Sequence, residues 1–90
     1  MKVIKIGAIW CPGCLVMKPL WSKIEEENPW LETEYFDYDN DREKIKRFDI
    51  SSNNIPVFIF FGKNGQELER LEGEYSKRDI LIRIEKYKDR

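Results

Sequence analysis

Two hydrophobic periods alternate along this chain, and they lay out its elements. Val3, Ile4, Ile6, Ala8 and Ile9 form an apolar run that reaches Trp10 and is broken only by Lys5 and Gly7. Such a run suits a strand buried on both faces, as in a parallel sheet. From Cys11 the spacing lengthens. Leu15, Val16, Leu20, Trp21 and Ile24 recur at helical intervals until Glu25-Glu26-Glu27-Asn28-Pro29 ends the pattern. Acidic residues oppose the dipole at a helix C-terminus, so this end is expected to fray or stay solvated. Pro19 lies inside the helix and lacks an N–H, so a kink is expected there.

Residues 31–39 read as a second strand with Tyr35, Phe36 and Tyr38 as its bulk, and Asp39-Asn40-Asp41 supplies turn and cap chemistry. A short helix over 42–48 then carries Ile45 and Phe48 inward. After the polar loop Ser51-Ser52-Asn53-Asn54 comes the most apolar run in the protein, residues 55–61, a strand. Asn64-Gly65 is a strong hairpin signal, and the charged stretch 67–72 returns as an edge strand. Ser76 and Asp79 form a capping-box-like start for a last helix, with Ile80, Leu81, Ile84 and Tyr87 as its buried stripe.

The order is β-α-β-α-β-β-α: an α/β fold whose mixed four-stranded sheet is flanked by helices. A strand, a crossover helix and a strand imply right-handed parallel pairing. With no internal repeat, linker or low-complexity segment, residues 1–90 read as a single domain.

Charge narrows the function. Lys plus Arg is 16, Asp plus Glu is 17, and the net charge of −1 argues against nucleic-acid and membrane-surface partners. At 41% hydrophobic and 13% aromatic, the chain can fold without a covalent staple. No window approaches a transmembrane span, and Met1-Lys2 opens no signal peptide, so a cytoplasmic location is expected.

The chemistry concentrates in Trp10-Cys11-Pro12-Gly13-Cys14, which holds both cysteines of the chain. Such a pair can be a structural bridge, part of a metal site or a redox couple. A bridge across so short a loop restrains the unfolded chain little. Zinc asks for four ligands, whereas this chain has no histidine and no second cysteine pair; no metal site is expected. Redox use is the favoured reading.

At a helix N-terminus, free N–H groups and the positive dipole end face Cys11 and favour the thiolate that attacks disulfides. Cys11 is therefore expected to be the nucleophile, nearest the solvent. Cys14, one turn in, is expected to be the more buried, resolving thiol. Pro12 offers no N–H to Cys11, which argues for a reductant over a strong oxidant. Ile55-Pro56 has two readings: a strand-start proline, or a cis X-Pro bond that faces the cysteines and leaves the Ile55 backbone free for an extended substrate.

Taken together, Trp10-Cys11-Pro12-Gly13-Cys14, the helix proline Pro19, Ile55-Pro56, Lys63-Asn64-Gly65 and Gly73 resemble the thioredoxin family over nearly the whole chain. The resemblance implies a shortened thioredoxin-like fold, Cys11 as nucleophile, Cys14 as resolving cysteine and Pro56 in cis. Trp10, Pro12, Gly13, Ile55, Pro56 and Gly73 would form the substrate groove. It also implies a thiol–disulfide oxidoreductase that reduces protein disulfides. The enzyme would act as a monomer with no bound cofactor beyond a Cys11–Cys14 redox disulfide, recharged by a thioredoxin-reductase-like donor.

The chain departs from the family pattern in four places. Pro-Gly replaces the usual Gly-Pro, and the early position of the cysteines leads one to expect no counterpart here of the family's first strand and helix. Lys5 stands where the family carries a buried aspartate, and Tyr35 where it carries that residue's lysine partner. Lys5 can snorkel outward, pair with Asp37 or Asp39, or tune the thiols through an altered proton relay. Two other functions stay open: a glutaredoxin-like, glutathione-dependent reductase, which the lack of a Gly-Gly pair before the last helix disfavours, and a redox sensor or binding module without turnover. Trp10 is expected to be a partly exposed substrate lip, Trp21 a core residue and Trp30 a loop anchor.

Overall fold

Alternation along the first strand decides which helix lies on which side of the sheet. In the computed structural model, which describes residues 1–90, β1 spans Lys2–Gly7 and sits in the middle of the sheet. It pairs in parallel with β2 (Glu32–Asp37) and antiparallel with β3 (Val57–Phe61). β4 (Glu67–Glu72) pairs antiparallel with β3, so the strand order is β2-β1-β3-β4. Helix α1 (Pro12–Glu27) is the crossover from β1 to β2. A short α2 (Arg42–Ile45), continued as a 3₁₀ turn over Lys46–Phe48, leads to β3, and α3 (Lys77–Tyr87) closes the chain. The expected order and the mixed four-stranded sheet are both present.

Because strand side chains point to opposite faces in turn, β1 feeds two cores. Val3 joins Phe58, Phe60 and Leu71 beneath α1 and α3, against Trp21, Ile24, Ile80 and Ile84. Ile4 and Ile6 join Phe36, Val57 and Ile59 on the opposite face, beneath Ile45 and Phe48. The buried stripe of α1 is Met17, Trp21 and Ile24. Leu15 and Val16, expected inside, are exposed, because the stripe that meets the sheet begins at Met17.

β1 also ends earlier than the apolar run. Beyond Gly7 the chain turns, with the Cys11 N–H donating to the Ala8 carbonyl at 3.2 Å, and Ile9 is left 81% exposed. The turn swings Cys11 onto the start of α1. β3 likewise begins one residue after Pro56, which has no N–H for the ladder.

The acidic end of α1 is solvated at Glu26 and Glu27, as expected, but is also tied to the rest of the chain. Glu25 accepts from the Lys5 ammonium and, at 2.9 Å, from the Thr33 hydroxyl, while Glu27 pairs with Lys77 at 2.8 Å. Asn28 donates both its backbone N–H and its side-chain amide to the Ile24 carbonyl, each at 2.9 Å. Cross-chain cations thus offset the unfavourable dipole. The helix runs from Pro12 to Glu27 across Pro19. Trp30, expected to anchor a loop, is 53% exposed.

At α3, Ser76 Oγ accepts from the Asp79 N–H at 3.1 Å, the expected cap. Asp41 does not cap α2 with its side chain; its carboxylate accepts instead from the Asp37 N–H at 2.8 Å. No helix is long and apolar enough to cross a membrane.

Candidate active site

Cys11 is the N-cap of α1, in extended backbone geometry (φ −93°, ψ 113°), with Pro12 at the first helical position. Proline suits that place because the first N–H groups of a helix have no intrahelical partner, so nothing is lost. The N–H that reaches the Cys11 sulfur belongs to Cys14, at 3.2 Å. The missing donor at Pro12 therefore removes nothing from this contact. Spacing of three residues makes this possible, since a cap residue and the third helical residue face each other across the first turn.

Burial runs opposite to expectation. Cys11 is only 5% exposed, whereas Cys14 is half-buried. The segment around Ile55 covers Cys11: its Sγ lies 3.8 Å from the Ile55 carbonyl, across 44 residues of sequence. Cys14 instead borders a cavity of about 410 Å³ lined also by Lys5, Gly7, Tyr35, Asp37 and Trp21. Lost hydration, then a hydrogen bond to Cys11, pushes the Cys14 thiol up to about 12. Cys14 thus holds its proton at neutral pH. Both cysteines are free thiols here.

The Ile55–Pro56 peptide bond is cis. Pro56 packs over the helix start, so that a β-carbon on Gly13 would lie 3.2 Å from Pro56 Cδ and 3.3 Å from Glu74 Oε2. Gly13 is therefore held small by its neighbours. On the other side of Pro56, Gly73 donates its N–H to the Pro56 carbonyl at 2.7 Å. Gly73 does so at φ +98°, a conformation that a side chain opposes. Ile55 thus reaches Cys11, Pro56 packs on Gly13, and Gly73 is bonded to Pro56.

Trp10 is 52% exposed, and its indole N–H donates to Asp39 at 2.6 Å while its ring meets Tyr38 edge-on. Asp39, read from sequence only as turn chemistry or as a partner for Lys5, orients this tryptophan.

Lys5 does not pair with Asp37 or Asp39. Its ammonium meets Glu25 and lies 5.6 Å from the centre of the Trp21 ring. The reason is facing: Lys5 points to the α1 side of the sheet, Asp39 is engaged by Trp10, and Asp37 sits opposite Gly7, two residues further along β1. Lys5 lines the same cavity as Cys14.

Gly7 carries a role the sequence did not signal, since it read there only as a gap in an apolar run. A β-carbon at Gly7 would fall 2.9 Å from Cys14 Sγ and 3.3 Å from the Tyr35 hydroxyl oxygen. The bare backbone lets α1 bring its second cysteine down onto β1. Glu74 beside Gly13 and Glu25 beneath Lys5 were missed likewise, because their contacts span long sequence separations.

Three comparisons bear on this arrangement. A family model described as thioredoxin matches residues 1–78. The chain is similar to Thioredoxin H5 of Oryza sativa subsp. japonica, at 32% identity over 71 residues, 79% of this chain and 50% of that protein. It is also similar to a thioredoxin of Chlamydia muridarum, at 31% over 87 residues, 97% of this chain and 82% of the other. The chain thus spans half the length of the rice relative and most of the bacterial one. In fold it is similar to the crystallographic thioredoxin of Fasciola hepatica, with a TM-score of 0.85, 24% identity and coverage of 96% of this chain and 79% of that one.

Proposed function

We propose that this chain, which belongs to the thioredoxin family, is a thiol–disulfide oxidoreductase that reduces protein disulfides through Cys11 and Cys14. The observation that carries the reading is the asymmetry of the two thiols. Cys11 sits at the helix N-terminus and accepts an N–H from Cys14, whereas the Cys14 thiol keeps its proton. Cys11 is thereby the thiol that attacks first.

In the first step the Cys11 sulfur attacks one sulfur of a substrate disulfide. A Cys11–substrate bond forms, the substrate S–S bond breaks, and the departing sulfur leaves with the electron pair and takes a proton. In the second step Cys14 loses its proton and attacks the Cys11 sulfur. The Cys11–Cys14 bond forms, and the second substrate sulfur leaves as thiolate and is protonated. Two electrons pass from the dithiol to the substrate, and a dithiol donor of the reductase type must return them.

In this reading Trp10, Pro12, Gly13, Ile55, Pro56 and Gly73 form the groove. Exposed Ile9, Trp10, Leu15 and Val16 flank the cysteine turn and offer apolar contact to a partly unfolded protein substrate. The enzyme acts as a monomer in a reducing compartment such as the cytoplasm, where a recharging donor keeps the pair reduced.

Insulin reduction with dithiothreitol as electron donor tests the reading. Wild-type protein is expected to accelerate precipitation of the insulin B chain, and Cys11→Ser to abolish the acceleration. Cys14→Ser is expected to stall as the mixed disulfide, visible as a mass increase. No acceleration by wild-type protein, with both thiols titratable, would point to a sensor or binding module on the same fold.

A further inference from the structure

The resolving thiol must lose its proton and carry negative charge before it attacks, yet it sits where burial opposes that charge. What lies beside its sulfur therefore governs the second step. Gly7 on β1, Cys14 on α1 and Tyr35 on β2 converge on one point: the place a Gly7 β-carbon would occupy is 2.9 Å from Cys14 Sγ and 3.3 Å from the Tyr35 hydroxyl oxygen. The strand register sets this up. Tyr35 pairs with Lys5, two residues before Gly7 on the same face, and its side chain reaches along the strand to Gly7. Half of the tyrosine is open to solvent, while the hydroxyl end enters the cavity beside Cys14.

We propose that the Tyr35 hydroxyl donates a hydrogen bond to the Cys14 sulfur as that sulfur becomes a thiolate, speeding its attack on Cys11. The proposal rests on the dithiol reading above and deepens it. In the reduced protein the Cys14 thiol is engaged with Cys11. Once the Cys11 sulfur is bonded to a substrate sulfur, it no longer holds the Cys14 thiol, and Cys14 is free to turn its charge to the phenol. The Cys14 proton passes to water, the phenol keeps its own proton throughout, and the departing substrate thiolate takes up a proton at the end. No further oxidant or base is required.

The surroundings suit a donor and not a base. Lost hydration and the nearby Asp37 carboxylate raise the phenol above its ordinary range, so it stays protonated through the working pH range. The titratable and charged groups around Cys14 are Cys11 at the helix cap, Lys5 on β1, Tyr35 and Asp37 on β2, and Lys18 on α1, with Asp41 acting on the phenol from beyond β2. Lys5 is neutralised by Glu25, which leaves Tyr35 the neutral donor at the sulfur.

The test is a single turnover with one equivalent of Ellman's reagent. The first thionitrobenzoate release reports attack by Cys11. The second, independent of protein concentration, reports attack by Cys14 on the Cys11 sulfur. In Tyr35→Phe the second release is expected to slow about tenfold, the worth of a hydrogen bond to a charged group, and its pH profile to move about one unit upward, with the first release unchanged. An unchanged second phase and pH profile in Tyr35→Phe would overturn the proposal. So would equal slowing of both phases with a lowered unfolding midpoint, which marks a structural role. Wild-type protein that releases only one thionitrobenzoate per chain would refute the dithiol reading itself, and this proposal with it.

Discussion

Glu25, on the last turns of α1, neutralises Lys5 in the middle of the sheet from the helix side, beneath the ring of Trp21. The lysine side chain is 16% exposed and the glutamate 32%, so the pair is largely withdrawn from water. Removing one charge from such a pair strands the other, and the cost grows with the burial of the charge left behind: Lys5 when Glu25 is neutralised, the more exposed Glu25 when Lys5 is replaced. Glu25→Gln is therefore expected to destabilise the protein by about 1–3 kcal/mol, and Lys5→Met by clearly less. Urea unfolding of the two variants checks the order. A larger loss in Lys5→Met would mean that the ammonium is needed for more than its partner.

Gly7→Ala inserts a methyl group into the space between Cys14 Sγ and the Tyr35 hydroxyl. At 2.9 Å from the sulfur something must move, and overpacking of this kind costs about 1–3 kcal/mol. Because α1 must lift away from β1 at Cys14, formation of the Cys11–Cys14 disulfide is expected to slow as well. Unfolding midpoints together with the rate of disulfide formation test this, and a wild-type value for both would show that the helix start is not held against β1.

At Gly73 the backbone itself is at stake. A side chain at φ +98° costs about 1–3 kcal/mol, with open space around the site so that no clash adds to it. The same strain pulls on the 2.7 Å bond from Gly73 N–H to the Pro56 carbonyl. Gly73→Ala is expected to lower stability by that amount and to raise the KM for insulin with a smaller effect on kcat. Steady-state kinetics beside thermal melts separates the two effects.

The Cys14 proton makes stability depend on pH in the reduced state only. Its thiol moves from an ordinary value of 9.0 up to about 12 on folding, so the folded chain keeps a proton that the unfolded chain gives up. Below pH 9 the stability is fully present; it falls as pH rises from 9 towards 12, because the unfolded state then binds fewer protons. The raised Tyr35 phenol acts in the same direction from its ordinary 10.0 upward. The oxidised protein has no Cys14 thiol and escapes the larger part of this loss. Urea midpoints of the two redox forms are expected to diverge above pH 9. Parallel curves would show that Cys14 titrates alike in both states.

Element order, the parallel β1–β2 crossover and the start of α1 at Cys11 were legible in the sequence because each rests on local chemistry. A period of two or 3.6 sets strand or helix. Two cysteines three residues apart at a helix start face each other whatever the rest of the chain does, and Pro12 fits the first helical position in any such helix. Ile55-Pro56 and Gly73 were marked as well, as residue types with restricted backbones.

Packing decided the rest. Cys11 is shielded by a carbonyl 44 residues away, so the thiol nearest the helix dipole is the less exposed one, a reversal that no local pattern contains. Met17 takes the buried place that Leu15 and Val16 also qualified for, since the tilt of α1 on the sheet selects among apolar residues of one helix. Lys5 found Glu25, and Gly7 became the seat of Cys14, because β1 lies directly beneath α1. Burial, ion-pair choice and close approach are properties of two surfaces meeting, and each surface taken alone leaves them undetermined.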